Sequence, residues 1–436
     1  MKHYLLLLLS IVLLASSCEN TDTIRNDADF KHYNADLITD WIDLHLQVVK
    51  RTTGVSHIAY SRHFAYTGVA LYESLVHGDS HYKSIADQLN GTIDLPDAPQ
   101  GKPLFWPASA NAAVAQMLRS FYPSNQMNLQ RIDSLEDAYY AKYSVEVKNE
   151  TELQKAVTYG QQIAAAVIEW SSQDGADGAA IPYTLLGEGY WEPTPNAFAP
   201  ANLPGWGNNR TMLSNSISNT LPPAPIAFSV EPGTPFYNMV KEVYDISQTL
   251  TDAQKAMATF WDDAPNGQYV TAFGHWFNIL KQVIDEGHVG LMKAADAYVR
   301  LGITMNDATI SVWKTKYTYH QLRPVTYIRK HMGLSGWNSY IGTPPHPEYT
   351  AAHATISASA GFALESVFGP HYGFTDHTYD GIGMMPRTYA GFAEAGEEAG
   401  LSRLYGGIHY RPSIETGNEM GRKVGDNVSR LLKTRK

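Results

Sequence analysis

Three clusters in the last quarter of the chain carry side chains that bind anions or move protons. The first reads Lys316-Tyr-Thr-Tyr-His-Gln-Leu-Arg323-Pro324, the second Tyr349-Thr-Ala-Ala-His353, and the third Ser402-Arg403-Leu-Tyr-Gly-Gly-Ile-His409. A lysine and two arginines supply charged N–H donors suited to a compact oxyanion. Two histidines add groups able to ligate or to exchange a proton near neutral pH. Each cluster lies beside a backbone breaker or a run of small residues, where main chain approaches a ligand closely. Brought together, they form a cage for a tetrahedral oxyanion. Taken singly, each reads more plainly: a lone Lys or Arg is usually a solvated face, and a lone His near a helix start is usually structural. Their joint occurrence carries the reading.

The background sharpens it. The chain has 436 residues, 44% hydrophobic and 17% charged, with a formal net charge of -10. This is a globular composition, long enough for a substantial core. Net negative charge argues against a nucleic-acid or anionic-membrane surface, so a local Lys/Arg/Arg cluster points to a small anion. Residues 1–18 read as a targeting segment: Lys2 precedes an apolar run, Leu5 to Ala15, too short to span a bilayer comfortably. It ends Ala15-Ser16-Ser17-Cys18, with the chain's one cysteine, and looks like a bacterial lipoprotein lipobox. That implies an acylated Cys18, a membrane anchor and export to the periplasm or cell surface; the alternative is plain signal-peptide cleavage. Residues 19–32 are polar and acidic and read as a flexible tether.

The elements that must position the clusters are helical. Apolar residues recur at helical spacing from Asn34 to about Val76, then over Ala108–Tyr122, Ser124–Tyr143 and Glu150–Trp170. A region dense in Gly, Pro and Asn follows, 172–232, whose Trp191 and Trp206 predict an ordered cover. Its Asp174-Gly-Ala-Asp177-Gly segment lacks the other ligands of a calcium loop and reads as a turn. Helical signals resume over Pro235–Gln248, Asp252–Trp261, Phe273–Gly287 and Val289–Tyr319, with further helices near Tyr349 and Ile414 and a loop over 369–388. No strand alternation supports a sheet. The expectation is one all-α domain over 33–436, a multi-helical bundle with long ordered loops. Lys316 and Arg323 face one side if their helix persists. Thr350 is the expected N-cap of the next helix, leaving the amides of Ala351, Ala352 and His353 free to meet an anion.

The combined pattern resembles the vanadium-dependent haloperoxidase and type-2 phosphatidic-acid-phosphatase superfamily, in its bacterial haloperoxidase-like branch. That signature is Lys-x6-Arg-Pro, then Pro-Ser-Gly-His, then Ser-Arg-x5-His-x3-Asp. Lys316 to Pro324 matches the first piece, His353 the histidine of the second, and Ser402-Arg403 with His409 most of the third. Trp191-Glu-Pro-Thr-Pro195, Pro204-Gly-Trp206-Gly207, Phe260-Trp-Asp-Asp263 and Gly274-His275-Trp276 are also similar to bacterial members, so the likeness covers nearly all the mature chain, with a phosphatase-type core at about 289–436. The resemblance implies vanadate as cofactor, with hydrogen peroxide and halide as substrates. It makes His409 the vanadium ligand, or the nucleophile of a phosphatase. Lys316, Arg323 and Arg403 would hold the equatorial oxygens, the amide of Ala352 would replace that of the family glycine, and His353 would be the acid–base group. Lys316 would further polarise bound peroxide.

Two departures stand out. The family serine is Ala351, which removes a hydrogen bond worth on the order of 1.5–3 kcal/mol to a charged acceptor. The family aspartate behind the ligand histidine is Ser413; losing such a partner costs roughly 10–100-fold in affinity or activity. A serine hydroxyl, Glu415 or a backbone carbonyl are the candidate substitutes. His346 is either a halide-selecting residue, hinting at bromide or iodide, or a surface histidine in a Pro-rich loop. Asp262, Asp263 and His275 are candidate supports behind the cage, or simply structural. His320, His371 and His377 acquire no role. The expected function is a lipid-anchored, vanadate-dependent haloperoxidase. The alternatives are an acid phosphatase acting on phosphate esters in the same site, and a degenerate oxyanion-binding scaffold.

Overall fold

The computed structural model describes residues 30, 32–99, 104–264 and 267–436. The leader at 1–18, Cys18 and nearly all of the tether lie outside the described residues. Phe30, read from composition as tether, is 4% exposed and stands edge-on to Tyr33, so the packed fold already includes it. Among the described residues there are thirteen α-helices and little sheet, an all-α fold as expected. No helix among them is long and apolar enough to cross a membrane.

The first helices are α1 (Asp36–Arg51), α2 (Ala59–Glu73), α3 (Trp106–Phe121), α4 (Gln126–Val147) and α5 (Glu150–Ser171). Then come α6 (Pro235–Gln248), α7 (Asp252–Phe260), α8 (Ala272–Glu286) and α9 (Leu291–Tyr319). The last are α10 (Pro324–His331), α11 (Ala352–Phe368), α12 (Phe392–Tyr405) and α13 (Arg411–Leu431). Sequence signals end several of them cleanly. Thr251 caps α7 with a full capping box to Gln254, and Thr234 and Thr271 cap α6 and α8.

Helix α9 is the spine. Its 29 residues, roughly 44 Å at 1.5 Å per residue, are buried on nearly every face. One side lies on α2, where a Cβ on Gly302 would come within 2.9 Å of the Ala65 Cα. The other side lies on α11, which is itself held between α12 and α13. There Gly421 lets α13 reach α11 so closely that a Cβ would fall 2.1 Å from the Thr355 carbonyl oxygen. Small residues at these crossings fix helix spacing as rigidly as large ones fill a core.

Three expectations are corrected. Helices α10 and α12 were not anticipated; α12 opens Phe-Ala-Glu-Ala-Gly-Glu-Glu-Ala-Gly and carries no apolar stripe, so periodicity could not reveal it. The 369–388 loop contains a short antiparallel hairpin, β1 (Phe374–Asp376) with β2 (Arg387–Tyr389), Thr375 opposite Thr388. Thr350 does not cap α11: Ala351 holds that position without a side-chain bond, while the Thr350 hydroxyl meets Thr355 Oγ1 at 3.3 Å.

The irregular cover is ordered. Trp191 and Trp206 are buried, and the amides of Met212 and Leu213 with the Ser216 hydroxyl donate to the buried Asp307 carboxylate of α9, at 2.7, 3.3 and 2.6 Å. Asn202 ties the cover to the cage loop, its amide donating to the Pro345 carbonyl at 2.8 Å.

Candidate functional site

The three clusters converge where the C-terminal end of α9, the N-termini of α10 and α11, and the α12–α13 turn meet. Helix α9 stops at Tyr319, and His320 adopts φ 50, so Lys316 and Arg323 are not on one continuous helix as the spacing suggested. Instead Arg323 is the residue before α10, and both cations reach the same loop, 345–350.

Lys316 is fully buried, and its Nζ donates to the carbonyls of Pro347, Glu348 and Thr350 at 2.9, 2.9 and 2.6 Å. Burial and Arg323 draw its proton affinity well down. Three carbonyl acceptors nevertheless leave no room for a lone pair, so the group is an ammonium. It braces the loop that forms the cage wall, and would have to release one carbonyl to meet an oxyanion.

Arg323 organises the centre. Its Nε donates to the His346 carbonyl at 2.9 Å and its Nη1 to the Ile408 carbonyl at 2.8 Å. Nη1 also lies 3.1 Å from His409 Nε2, and Nη2 3.0 Å from His346 Nδ1. A guanidinium has only donors, so both imidazole nitrogens facing it accept. His346 is thus a buried cage residue, 3% exposed and packed against Trp313, rather than a surface histidine.

The other nitrogen of His409 settles its tautomer. Nδ1 lies 2.7 Å from Glu348 Oε1, which also accepts from the Tyr410 amide at 3.0 Å. His409 is therefore neutral, with its proton on Nδ1 and a lone pair on Nε2. Burial, then Arg323 and Lys316, hold its proton affinity well below the usual histidine range. Burial pushes Glu348 up to about 7, against the pull of Arg323 and Lys316. The family pattern places this partner at position 413. Ser413 makes no hydrogen bond to the ring and lies beside the Glu348 carboxyl, and Glu415 is exposed. Glu348 was missed because it stands in the Pro345-His-Pro-Glu loop, far from His409 in sequence. A carboxylate flanked by breakers beside a histidine cluster was the available signal.

Arg403 is 2% exposed; its Nε donates to the Ser402 hydroxyl at 3.1 Å and its Nη2 to the Trp261 carbonyl. His353 lies on the first turn of α11 with its Nε2 3.4 Å from Asp263 Oδ2, a pairing too poorly aligned to be a formed hydrogen bond. Burial and Arg403 press His353 down to about 4 despite Asp263. Asp263 Oδ1 faces His275 Nδ1 at 2.9 Å, and both residues are buried, so these two upstream candidates do stand behind the cage. Asp262 is only partly buried and acts on Arg403 through charge alone. The Ala351 amide is taken by the Ser413 carbonyl at 3.3 Å, while those of Ala352 and His353 lie in the unpaired first turn. His57, not singled out from sequence, has its ring 6.4 Å from that of His346 and is pressed to about 4 by burial. His320 serves the fold, its carbonyl accepting the Trp191 amide at 2.7 Å.

Among the described residues no group of three or more His, Cys, Asp or Glu is arranged to hold a metal cation. The cage instead offers guanidinium groups, an ammonium, first-turn amides and one imidazole lone pair. That donor set fits an oxyanion with one coordination position for nitrogen.

Residues 296–435 match the family model of the second helical-bundle domain of vanadium chloroperoxidase. The crystal structure of the first bacterial vanadium-dependent iodoperoxidase is 32% identical, covering 93% of this chain and 98% of that one, with a TM-score of 0.85. Holo- and apo-type structures of a bacterial vanadium-dependent chloroperoxidase share the fold at 14% and 15% identity, each covering 88% of this chain and 94% and 97% of theirs, with TM-scores of 0.62 and 0.65. No curated protein matches the chain.

Proposed function

The chain belongs to the vanadium haloperoxidase and type-2 phosphatidic-acid-phosphatase superfamily, and within it we propose that it is a vanadate-dependent haloperoxidase oxidising iodide or bromide with hydrogen peroxide. The observation that carries this reading is the state of His409. The Glu348 contact keeps its proton on Nδ1, so Nε2 carries a lone pair, which accepts from Arg323 and would turn to vanadium when that contact is released. The halide assignment draws support from the likeness to an iodoperoxidase and from the burial of His346 against Arg323.

Vanadate, when bound, supplies Lewis acidity that activates peroxide toward halide. The chain's own residues do the rest. Arg323, Arg403 and the amides of Ala352 and His353 would bind the oxyanion's charge with fixed charges and dipoles, the two guanidinium groups being buried. His409 would supply the nitrogen that holds vanadate, and Glu348 fixes its tautomer and orientation. Lys316 holds the 347–350 loop against these groups. His353 would move the proton: its Nε2 faces Asp263, so the exchange takes place at Nδ1, and burial with Arg403 lowers its proton affinity, which keeps it a base at neutral pH.

The test is to load the purified mature chain with vanadate and assay iodide and bromide oxidation beside p-nitrophenyl phosphate hydrolysis, with His409→Ala as control. Vanadate-dependent halide oxidation lost in the variant is expected. Phosphate-ester hydrolysis inhibited by vanadate, without halide oxidation, would replace this reading with the acid phosphatase. Neither activity, with no vanadate bound, would leave only a degenerate scaffold. Export as a lipoprotein is proposed too, and predicts fatty-acid labelling of the expressed precursor that Cys18→Ser abolishes.

A further inference from the structure

Behind the cage, His275 of α8 is fully buried between two carboxylates. Its Nδ1 lies 2.9 Å from Asp263 Oδ1 and its Nε2 2.8 Å from Asp376 Oδ2, the latter on β1. Both acids are already engaged as acceptors. Asp263 Oδ1 takes the Tyr379 hydroxyl at 2.6 Å, and Asp376 Oδ1 takes the amide and hydroxyl of Thr378 at 2.9 and 2.5 Å and Gln282 Nε2 at 3.4 Å. A carboxylate so placed only accepts, which makes both ring nitrogens donors and the ring a cation. Burial opposes that charge, but Asp263 and Asp376 outweigh it and push the ring up to about 10.

The same ring governs the turn that follows α7. The Trp261 indole is stacked on it, centroids 4.2 Å apart at 22°. The Trp261 carbonyl holds Arg403, and two residues later Asp263, at φ 52, points Oδ2 toward His353 Nε2. That oxygen has no other partner among the described residues. One short turn therefore sets two cage groups, and the imidazole of His275 sets the turn.

We propose that His275 is a fixed, buried imidazolium and the positioning residue of the cage: backed by Asp376, it keeps Asp263 ionised with its free oxygen turned to His353, leaving His353 Nδ1 open to the oxyanion. This rests on the reading of His353 as the proton-moving group. The groups facing His275 are Asp263, Asp376 and Tyr379; those facing His353 are Asp263, Arg403 and His57. Among the described residues Asp376 accepts from His275, Gln282 and Thr378, so its hydrogen-bonded route to His353 runs through His275 and Asp263.

The test is a long-range proton–nitrogen correlation spectrum of the full mature chain carrying nitrogen-15 histidine, followed from about pH 2.5 to 9. The His275 signals are assigned from His275→Gln, or from their displacement in Asp376→Asn should the first variant not fold. The expected result is a His275 ring protonated on both nitrogens throughout. In Asp376→Asn the titration midpoint of His353 should fall by about one pH unit, a tenfold loss of proton affinity, and the acid limb of halide oxidation should move with it. A purely structural role for Asp376 would lower stability and leave that midpoint in place, which would overturn the proposal. So would a His275 ring that is neutral at pH 7. Both spectral results are obtained without turnover, so absence of halide oxidation would defeat the functional reading and leave this one to be decided separately.

Discussion

His409 and His275 begin alike and end as opposites. Each is buried, and each gives Nδ1 to a carboxylate, Glu348 at 2.7 Å and Asp263 at 2.9 Å. At Nε2 they part. His409 meets the Arg323 guanidinium at 3.1 Å and must accept; His275 meets the Asp376 carboxylate at 2.8 Å and must donate. One ring is left neutral, its Nε2 lone pair accepting from Arg323; the other is a cation that braces the wall behind. Burial alone would have made both neutral. The second partner decides the charge, and the charge decides whether a histidine is a ligand or a strut.

The comparison is broken most severely at the strut. His275→Gln leaves Asp263 and Asp376 buried without their cation, and breaking a buried ionic set costs about 3–5 kcal/mol. The sign with pH follows from the raised proton affinity. The folded ring binds its proton up to about pH 10, whereas an unfolded histidine loses it near 6.5. The stabilisation is complete below about pH 6.5 and is lost as pH rises through about 10. Urea midpoints of wild type and variant should differ most near pH 6 and converge toward pH 10.

At the ligand, His409→Ala should reduce vanadate-dependent turnover by roughly 10²–10³-fold or more, on the scale of losing a fixed transition-state contact, with thermal stability little changed. Steady-state halide oxidation at saturating vanadate measures this. A smaller gain is expected from Ala351→Ser. A hydroxyl at this N-cap position adds a donor for the oxyanion and a favourable cap for α11, so vanadate should bind about tenfold more tightly, read from a calorimetric titration.

The charged half of the cage was legible in sequence because its chemistry survives in residue type and spacing. Lys316, Arg323, Arg403, His353 and His409 all reach the site. What was illegible depended on chain return. Glu348 is brought to His409 by a Pro-rich loop folding back over α13, and no periodicity records that contact. Asp376 arrives on a strand of three residues, too short for alternation to register. Helix α12 hides for a different reason: its contact faces are glycine and alanine, where close approach replaces apolar bulk. Helices with a continuous apolar face, such as α1, α6 and α8, stood out from spacing alone.

Glu348, not Ser413, holds the ring of His409. Calorimetric titration of the apoprotein with orthovanadate tests it directly, comparing wild type, Glu348→Gln and Ser413→Ala. Affinity should be lower by roughly 10–100-fold in Glu348→Gln and little changed in Ser413→Ala. Unchanged binding in Glu348→Gln, or a loss confined to Ser413→Ala, would contradict it.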